Sequence, residues 1–496
     1  MKTLIGIDNG TQSTKVIFYD FESKKIVAKA SSPHKLISRD DGTREQEAKW
    51  WIDAAKEAFS KIDEKIKKTA IAVGVSGQQH GFVPIDKDGN VLSPVKLWCD
   101  TSTQNQCNTI NKKVGGFDQI IETAGNPVLA GYTASKILWL KENHPELYKM
   151  MDTILLPHDY LNFVLTGNRV MEYGDASGTA LLDINTKTWS KEVVSALDPD
   201  RDLLKCLPKL IGPTDPAGYV TKEAAKLFGI PQGILVSSGG GDNMIAAIGT
   251  GVVADGVMTM SLGTSGTLYG YSSTPVIDKE GNIAAFCSST GGWLPLLCTM
   301  NCTVSTEVMR NLLNLNVKEI DEVANQSTAG AGGLILLPFF NGERTPNLPN
   351  GKGTLTGMDM ENVTPANVLR ASMEAAIFGM KYGLDSFIKL GFKPKEIILT
   401  GGGSNSLVWR QIAADILNTP IVVMDNSEAG ALGGAIQSLW ALNTLNGGET
   451  DIQKLTKEHC TSGEVLKYMP GKDVEKYNNV YNEYIKYLNA LKELYK

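Results

Sequence analysis

One short pattern, Gly-Thr-X-X-Thr, occurs twice in comparable settings and narrows the folds open to this chain. The first copy is Gly10-Thr11-Gln12-Ser13-Thr14, between the apolar runs 4–8 and 15–19. The second is Gly263-Thr264-Ser265-Gly266-Thr267, between the runs 256–261 and 267–271. Each reads as two strands joined by a tight turn. Glycine lets backbone N–H groups approach a phosphate closely, and threonine hydroxyls add donors. Either copy alone reads equally well as an ordinary β-hairpin. Two copies, one early and one mid-chain, point to two related domains whose turns face each other across one polyphosphate. Asp8, at the end of the first strand, favours the phosphate reading over the plain hairpin.

A chain of 496 residues exceeds what one core supports, so two or three domains are expected. With 42% apolar and 21% charged residues it has the composition of a globular protein. A net charge of −6 and the lack of any Lys/Arg-rich run argue against a nucleic-acid surface. No apolar run is long enough to cross a bilayer, and Asp8 interrupts the only apolar run near the start. Neither a membrane span nor a secretory signal is therefore expected, and the cytoplasm is the expected compartment. The seven cysteines are scattered, and Cys298-X-X-X-Cys302 lacks the partners of a zinc site. They read as free thiols.

After the first hairpin, a third strand is expected at 25–31. Trp50, Ala54, Ala58 and Ile62 recur along one face of a helix over 46–68. The apolar run 70–76 reads as a buried strand ending in Gly77-Gln78-Gln79-His80-Gly81. This order of elements describes a ribonuclease-H-like α/β domain. The second half repeats the scheme: the hairpin, a helix over 365–390, a strand over 395–400, then alternating helix and strand to 442. The expected fold is two such domains with a cleft between them, over 1–249 and 250–445. The tail, 446–496, spaces Val474, Tyr477, Tyr481, Tyr484, Leu488, Leu491 and Tyr495 alternately by three and four. Three heptads are few for a coiled coil, so a helix docked on the body is the favoured reading.

Asp242 is the leading candidate for a general base. It closes the turn Gly239-Gly240-Gly241 ahead of a helix of small residues. A sugar hydroxyl holds its proton tightly, and a positioned carboxylate that removes it contributes roughly 10²–10⁴-fold. The same acid also suits a helix N-cap, and the two roles are compatible. Asp8 could hold Mg²⁺ through water, or simply initiate a turn. Lys15 could reach a β- or γ-phosphate, or be a solvated surface lysine. His80, with Gln78 and Gln79, forms a polar cluster able to hydrogen-bond a polyol, although a structural histidine would look the same. Gly401-Gly402-Gly403-Ser404-Asn405 follows a strand and precedes a helix, which suits adenosine and an α-phosphate. It is not GxGxxG, and no GxxxxGK[ST] occurs in the chain, so Rossmann and Walker-type sites are disfavoured.

With these stretches in hand, the chain resembles the FGGY carbohydrate kinases over 4–442. The resemblance also rests on Leu156-Pro157-His158-Asp159-Tyr160-Leu161, Gly174-Asp175-Ala176-Ser177-Gly178-Thr179 and Gly342-Glu343-Arg344-Thr345-Pro346. It implies domains of the actin and sugar-kinase type, with a sugar and MgATP between them. It implies Asp242 as the base, Gln79, His80 and Asn243 as sugar contacts, and Asp8 and Asp242 as the carboxylates nearest Mg²⁺. Gly10, Thr11, Lys15, Gly263 and Thr264 would line the phosphates, with Gly402, Gly403 and Asn405 near the nucleotide. The implied reaction is ATP-dependent phosphorylation of a ketopentose, D-xylulose first. Members acting on that sugar commonly carry Met where Gln79 stands, which keeps ribulose, gluconate or another polyol open. A non-catalytic sugar or nucleotide sensor on the same fold is the alternative of a different class. No nucleic-acid or membrane partner is implied, and a homodimer is left open.

Overall fold

A computed structural model describes residues 1–424, 428–460 and 465–495. Two mixed sheets organise it. The first runs in the order Gly218–Tyr219, Leu235–Val236, Ala70–Gly77, Thr3–Asn9, Ser13–Asp20, Lys25–Pro33, with Gly240–Gly241 also paired to Ala70–Gly77. Thr3–Asn9 and Ala70–Gly77 are parallel neighbours and almost wholly buried. Their near-continuous apolar sequence suits central strands covered on both faces. The second sheet runs Leu296–Thr299, Gly266–Gly270, Val257–Leu262, Glu396–Thr400, Ile421–Met424, Val465–Tyr468.

Both glycine-threonine turns form the hairpins expected of them, with Asp8 opposite Lys15 in one and Leu262 opposite Gly266 in the other. The helix read over 46–68 is instead two, Ala48–Ser60 and Glu64–Lys67. Asp63 starts the second by accepting the Lys65 N–H at 2.7 Å, a local bond that competes with a continuous helix.

Helix Ala429–Asn446 lays its apolar face on the first sheet: Ala431, Leu432, Ala435, Ile436 and Leu439 share a core with Leu4, Ile17, Ala72, Ile245 and Ile248. Small residues allow backbone-to-backbone contact there. A Cβ at Gly6 would sit 1.8 Å from the Ala431 carbonyl oxygen, one at Gly74 would sit 1.9 Å from that of Gly434, and one at Gly433 would sit 1.9 Å from that of Ile245. This helix ties the late sequence to the early domain.

The tail does two things. Val465–Tyr468 adds an edge strand to the second sheet, antiparallel to Ile421–Met424. Helix Val474–Leu491 then buries Tyr477, Tyr481, Tyr484 and Leu488 in the core of the second half. The Tyr484 ring lies 5.3 Å from that of Phe378. The Tyr477 hydroxyl donates to Glu374 and accepts from Arg370, each at 2.8 Å. All seven cysteines are free thiols. Among the described residues no helix is long and apolar enough to cross a membrane.

Candidate active site

In open α/β sheets, ligands bind beyond the carboxyl ends of parallel strands. Register places the candidate acids there. Asp8 lies opposite Ser76, and Gly240 and Gly241 lie opposite Ser76 and Gly77. The residues that follow these strand ends, Gln78 to His80 and Asp242 to Asn243, therefore emerge side by side.

Asp242 opens helix Asp242–Thr250, and Gly241 occupies the N-cap position without a side-chain capping bond. The cap role is thus not the one Asp242 plays. One of its oxygens accepts the Asn243 N–H at 2.8 Å and lies 3.1 Å from the Asn243 amide nitrogen. That amide also donates to Gln79 Oε1 at 2.8 Å. Burial, then the carboxylates of Asp8 and Asp175, push Asp242 up to about 7. A carboxylate so tuned is a far better base near neutrality than a solvated one. Asp8 is also raised by burial, against the lowering effects of a 2.9 Å bond from Ser76 and the charge of Lys15.

His80 has a left-handed backbone, φ 62°. Its ring rests 4.8 Å from that of Tyr132 and 5.7 Å from that of Phe286. Gly178 faces it so closely that a Cβ would lie 2.5 Å from the imidazole. Burial, then the positive charges of Lys136 and Arg344, hold His80 down at about 3, so its imidazole is neutral. Among the described residues no hydrogen-bond partner meets His80 Nδ1 or Gln79 Nε2, both buried. Buried polar atoms are rarely left so, and an incoming hydroxyl would satisfy the Gln79 amide, while the Gly178 backbone lies beside His80 Nδ1.

The candidate phosphate contacts come from both halves. The Thr11 hydroxyl accepts the Trp98 indole N–H at 2.9 Å, which leaves its own hydrogen to donate outward. Gln46, fully buried, donates to the Thr11 carbonyl at 2.7 Å and accepts from Gln78 at 2.9 Å, joining the phosphate turn to the polyol loop. In the second sheet Ser261 pairs with Thr400, which brings Gly263 and Thr264 beside Gly401 to Asn405. A Cβ at Gly402 would meet nothing within 4 Å, so this turn borders open space. Asn405 closes the short helical turn Gly402–Asn405. Gly10 is held in its turn by a 3.1 Å bond to the Ser13 carbonyl. The Lys15 ammonium sits 2.6 Å from a Glu428 carboxylate oxygen.

Beneath the polyol loop lies a charged cluster the sequence did not announce. His158 sits 2.8 Å from both Asp159 and Asp175, fully buried. Burial alone would strip its proton, but the two carboxylates win and raise it to about 10. Glu172 accepts from Gly174 N–H and Ser289, and burial raises it to about 7. Both motifs were visible as stretches, but nothing in their spacing says that His158 meets Asp175.

Among the described residues no group of three or more His, Cys, Asp or Glu is placed to hold a metal. Asp8 and Asp242 still fit Mg²⁺, an ion that keeps several waters and takes one or two carboxylates plus substrate phosphates. Their mutual repulsion, visible in the raised Asp242, is what a divalent cation would relieve.

Comparison with known proteins places the chain in a family. The model of the FGGY family of carbohydrate kinases matches at 3–249 for its N-terminal domain and at 258–442 for its C-terminal domain. A xylulose kinase of Haemophilus influenzae is 43% identical over 495 residues, covering 98% of this chain and 99% of the relative. The structure of a ligand-bound xylulose kinase from Lactobacillus acidophilus superposes with a TM-score of 0.91 at 27% identity, covering 100% of this chain and 99% of that one. A gluconate kinase from the same organism gives 0.90, also at 27%, with the same coverage. The chain belongs to the FGGY family of carbohydrate kinases.

Proposed function

We propose that this chain transfers the γ-phosphoryl group of ATP to the terminal hydroxyl of D-xylulose. The observation that carries the reading is the pairing of a near-neutral base, Asp242, with unsatisfied polar atoms on Gln79 and His80 at the ends of adjacent parallel strands. The likeness to xylulose kinases over nearly the whole chain supports the choice of sugar.

In this reading Gln79, neutral His80 and Asn243 hold the sugar hydroxyls. Asp242 takes the proton of the terminal hydroxyl as its oxygen bonds to phosphorus and the bond from phosphorus to the β-phosphate oxygen breaks. Asn243 keeps the Asp242 carboxylate aimed by donating to it. Gly10, Thr11, Gly263 and Thr264 line the phosphates, while Gly402, Gly403 and Asn405 border the nucleoside. Lys15 acts through Glu428 in the arrangement described here, and an exchange of that partner for a phosphate would accompany nucleotide binding. Mg²⁺, when bound near Asp8 and Asp242, supplies charge neutralisation for the transferring group. Closure of the two halves would keep water from competing as acceptor. A kinase that consumes ATP on a free sugar would work in the cytoplasm.

Gluconate is the second reading, carried by the gluconate kinase neighbour and by the amide of Gln79. A panel of xylulose, ribulose and gluconate compared by kcat/KM separates the two. The kinase reading itself is tested with Asp242→Ala, which should abolish sugar-dependent ADP release. Full activity in that variant would remove Asp242 from its role.

A further inference from the structure

His80 adopts a backbone conformation that costs a non-glycine residue on the order of 1–2 kcal/mol, so something must hold it there. Its carbonyl oxygen accepts two side-chain donors from one helix, Thr133–Asn143. Lys136 Nζ donates at 2.7 Å and Thr133 Oγ1 at 3.1 Å. Lys136 also donates to the Gly131 carbonyl at 2.8 Å. Both side chains are fully buried.

A lysine in such a place is unusual. Its surroundings include Asp100, but that acid is bonded to Lys96 at 3.3 Å. Removing an ammonium from water without a carboxylate at hand is costly. Leu or Met would fill the volume without that cost. What the amine adds is direction: two carbonyls, of His80 and Gly131, are fixed relative to one helix. Even as a neutral amine it has a hydrogen for each. Gly131 in turn packs against Trp98, where a Cβ would lie 2.5 Å from the Trp98 carbonyl oxygen.

The ring is then left little freedom. Tyr132, the residue just before the helix, and Phe286 crowd one side, and Gly178 admits the other. With the carbonyl anchored and the ring confined, the imidazole has one orientation in which to meet a ligand.

We propose that Lys136 and Thr133 are positioning residues for sugar recognition: they touch no substrate, and they set the direction in which the His80 imidazole meets a sugar hydroxyl. This rests on His80 being a sugar contact, so the experiment includes that residue. Steady-state kinetics with sugar and ATP varied separately, and calorimetric sugar binding without nucleotide, are measured for His80→Ala, Lys136→Met, Thr133→Val and the Thr133/Lys136 double variant. Lys136→Met should raise the sugar KM and Kd about tenfold and Thr133→Val about threefold, the loss of a hydrogen bond in each case. The double variant should approach His80→Ala, and the ATP KM should stay within twofold throughout. Thr133→Val, a shape-preserving change, carries the test if Lys136→Met does not fold. The proposal is overturned if His80→Ala weakens sugar binding while Thr133→Val and any folded Lys136 variant do not. It is also overturned if sugar and ATP KM rise together, the mark of general loosening. An unaffected His80→Ala would remove the sugar contact itself, and the positioning role with it.

Discussion

Gln437 holds both backbone polar groups of Gly239. Its Oε1 accepts the Gly239 N–H at 2.9 Å, and its Nε2 donates to the Gly239 carbonyl at 2.9 Å. The same Oε1 accepts the Ser237 hydroxyl at 2.9 Å. Gly239 has φ 70° and a Cβ there would lie 2.7 Å from the Val75 carbonyl oxygen, so the turn that delivers Asp242 has one workable conformation. Gln437 belongs to helix Ala429–Asn446, whose other end touches Asp8: a Cβ at Gly430 would lie 2.9 Å from the Asp8 carboxyl carbon. One helix thus touches both candidate acids' surroundings.

Replacing Gln437 by Leu strands an N–H and a hydroxyl in the interior and leaves the Gly239 carbonyl only a long 3.4 Å bond from the Ser238 hydroxyl. The expected loss is about 1–3 kcal/mol of stability, read by denaturant titration, with kcat falling more than either KM changes. Gln437→Glu keeps the two bonds accepted by Oε1 and loses the donor, so it should fall between wild type and Gln437→Leu. Equal kcat in all three would mean that the turn holds itself.

The raised Asp242 sets a pH profile. A base must be deprotonated to act, so kcat/KM for the sugar should climb as pH rises through about 7, the value to which burial, Asp8 and Asp175 push this acid. Asp8→Asn removes one of the two repelling carboxylates and should move that midpoint down, besides lowering the rate. A profile flat from pH 5 to 8 would exclude Asp242 as the titrating base.

The candidate residues were legible because glycine turns at strand ends are local signals. Asp8 ends a strand ahead of such a turn, Gln79 and His80 lie in one, Asp242 follows one, and parallel register gathers these strand ends. The supports were not legible. Gln46 is 32 residues from its partner Gln78, Lys136 is 56 from His80, and Gln437 is 198 from Gly239. Periodicity reports which face of an element is apolar, and a buried polar side chain on that face is invisible to it. For the same reason the packing of the helix after 428 on the first sheet was not legible. Its run Ala429-Gly430-Ala431-Leu432-Gly433-Gly434 announces a close neighbour without saying which. Lys15 illustrates a third limit, since Glu428, its partner, lies across the chain.

That close packing has a sharp consequence. Gly433→Ala would put a methyl 1.9 Å from a carbonyl oxygen inside a core where neither backbone can retreat. A loss of about 3 kcal/mol or more is expected, at the upper end of overpacking effects. Gly402→Ala is the contrasting case, because its methyl meets nothing within 4 Å. It should leave stability unchanged while raising the KM for ATP, since the space it enters is the one the nucleotide is expected to use. Denaturation curves beside ATP kinetics on the two variants read both halves of the claim. A stable Gly433→Ala protein would contradict the packing.

The buried His158 makes stability depend on pH in a direction that can be worked out. Its ordinary value is 6.5, and Asp159 and Asp175 raise it in the folded protein to about 10 despite burial. The folded state therefore holds this proton more tightly than the unfolded chain. The stabilisation is complete below about pH 6.5, erodes as pH rises from there, and is gone above about 10. Lys136 has the opposite slope: burial lowers it from 10.5 to about 7, so its penalty is relieved between those values. The wild-type curve blends these with other buried groups, Asp242 and Glu172 among them, and only a difference isolates the histidine. His158→Gln should be less stable than wild type at pH 6, and its deficit should shrink steadily toward pH 10. Denaturant titrations at pH 6, 8 and 10 on both proteins give that difference directly. A deficit of constant size would mean that His158 is neutral between its two acids, and that Asp175 beside the Asp242 turn is held by hydrogen bonding alone.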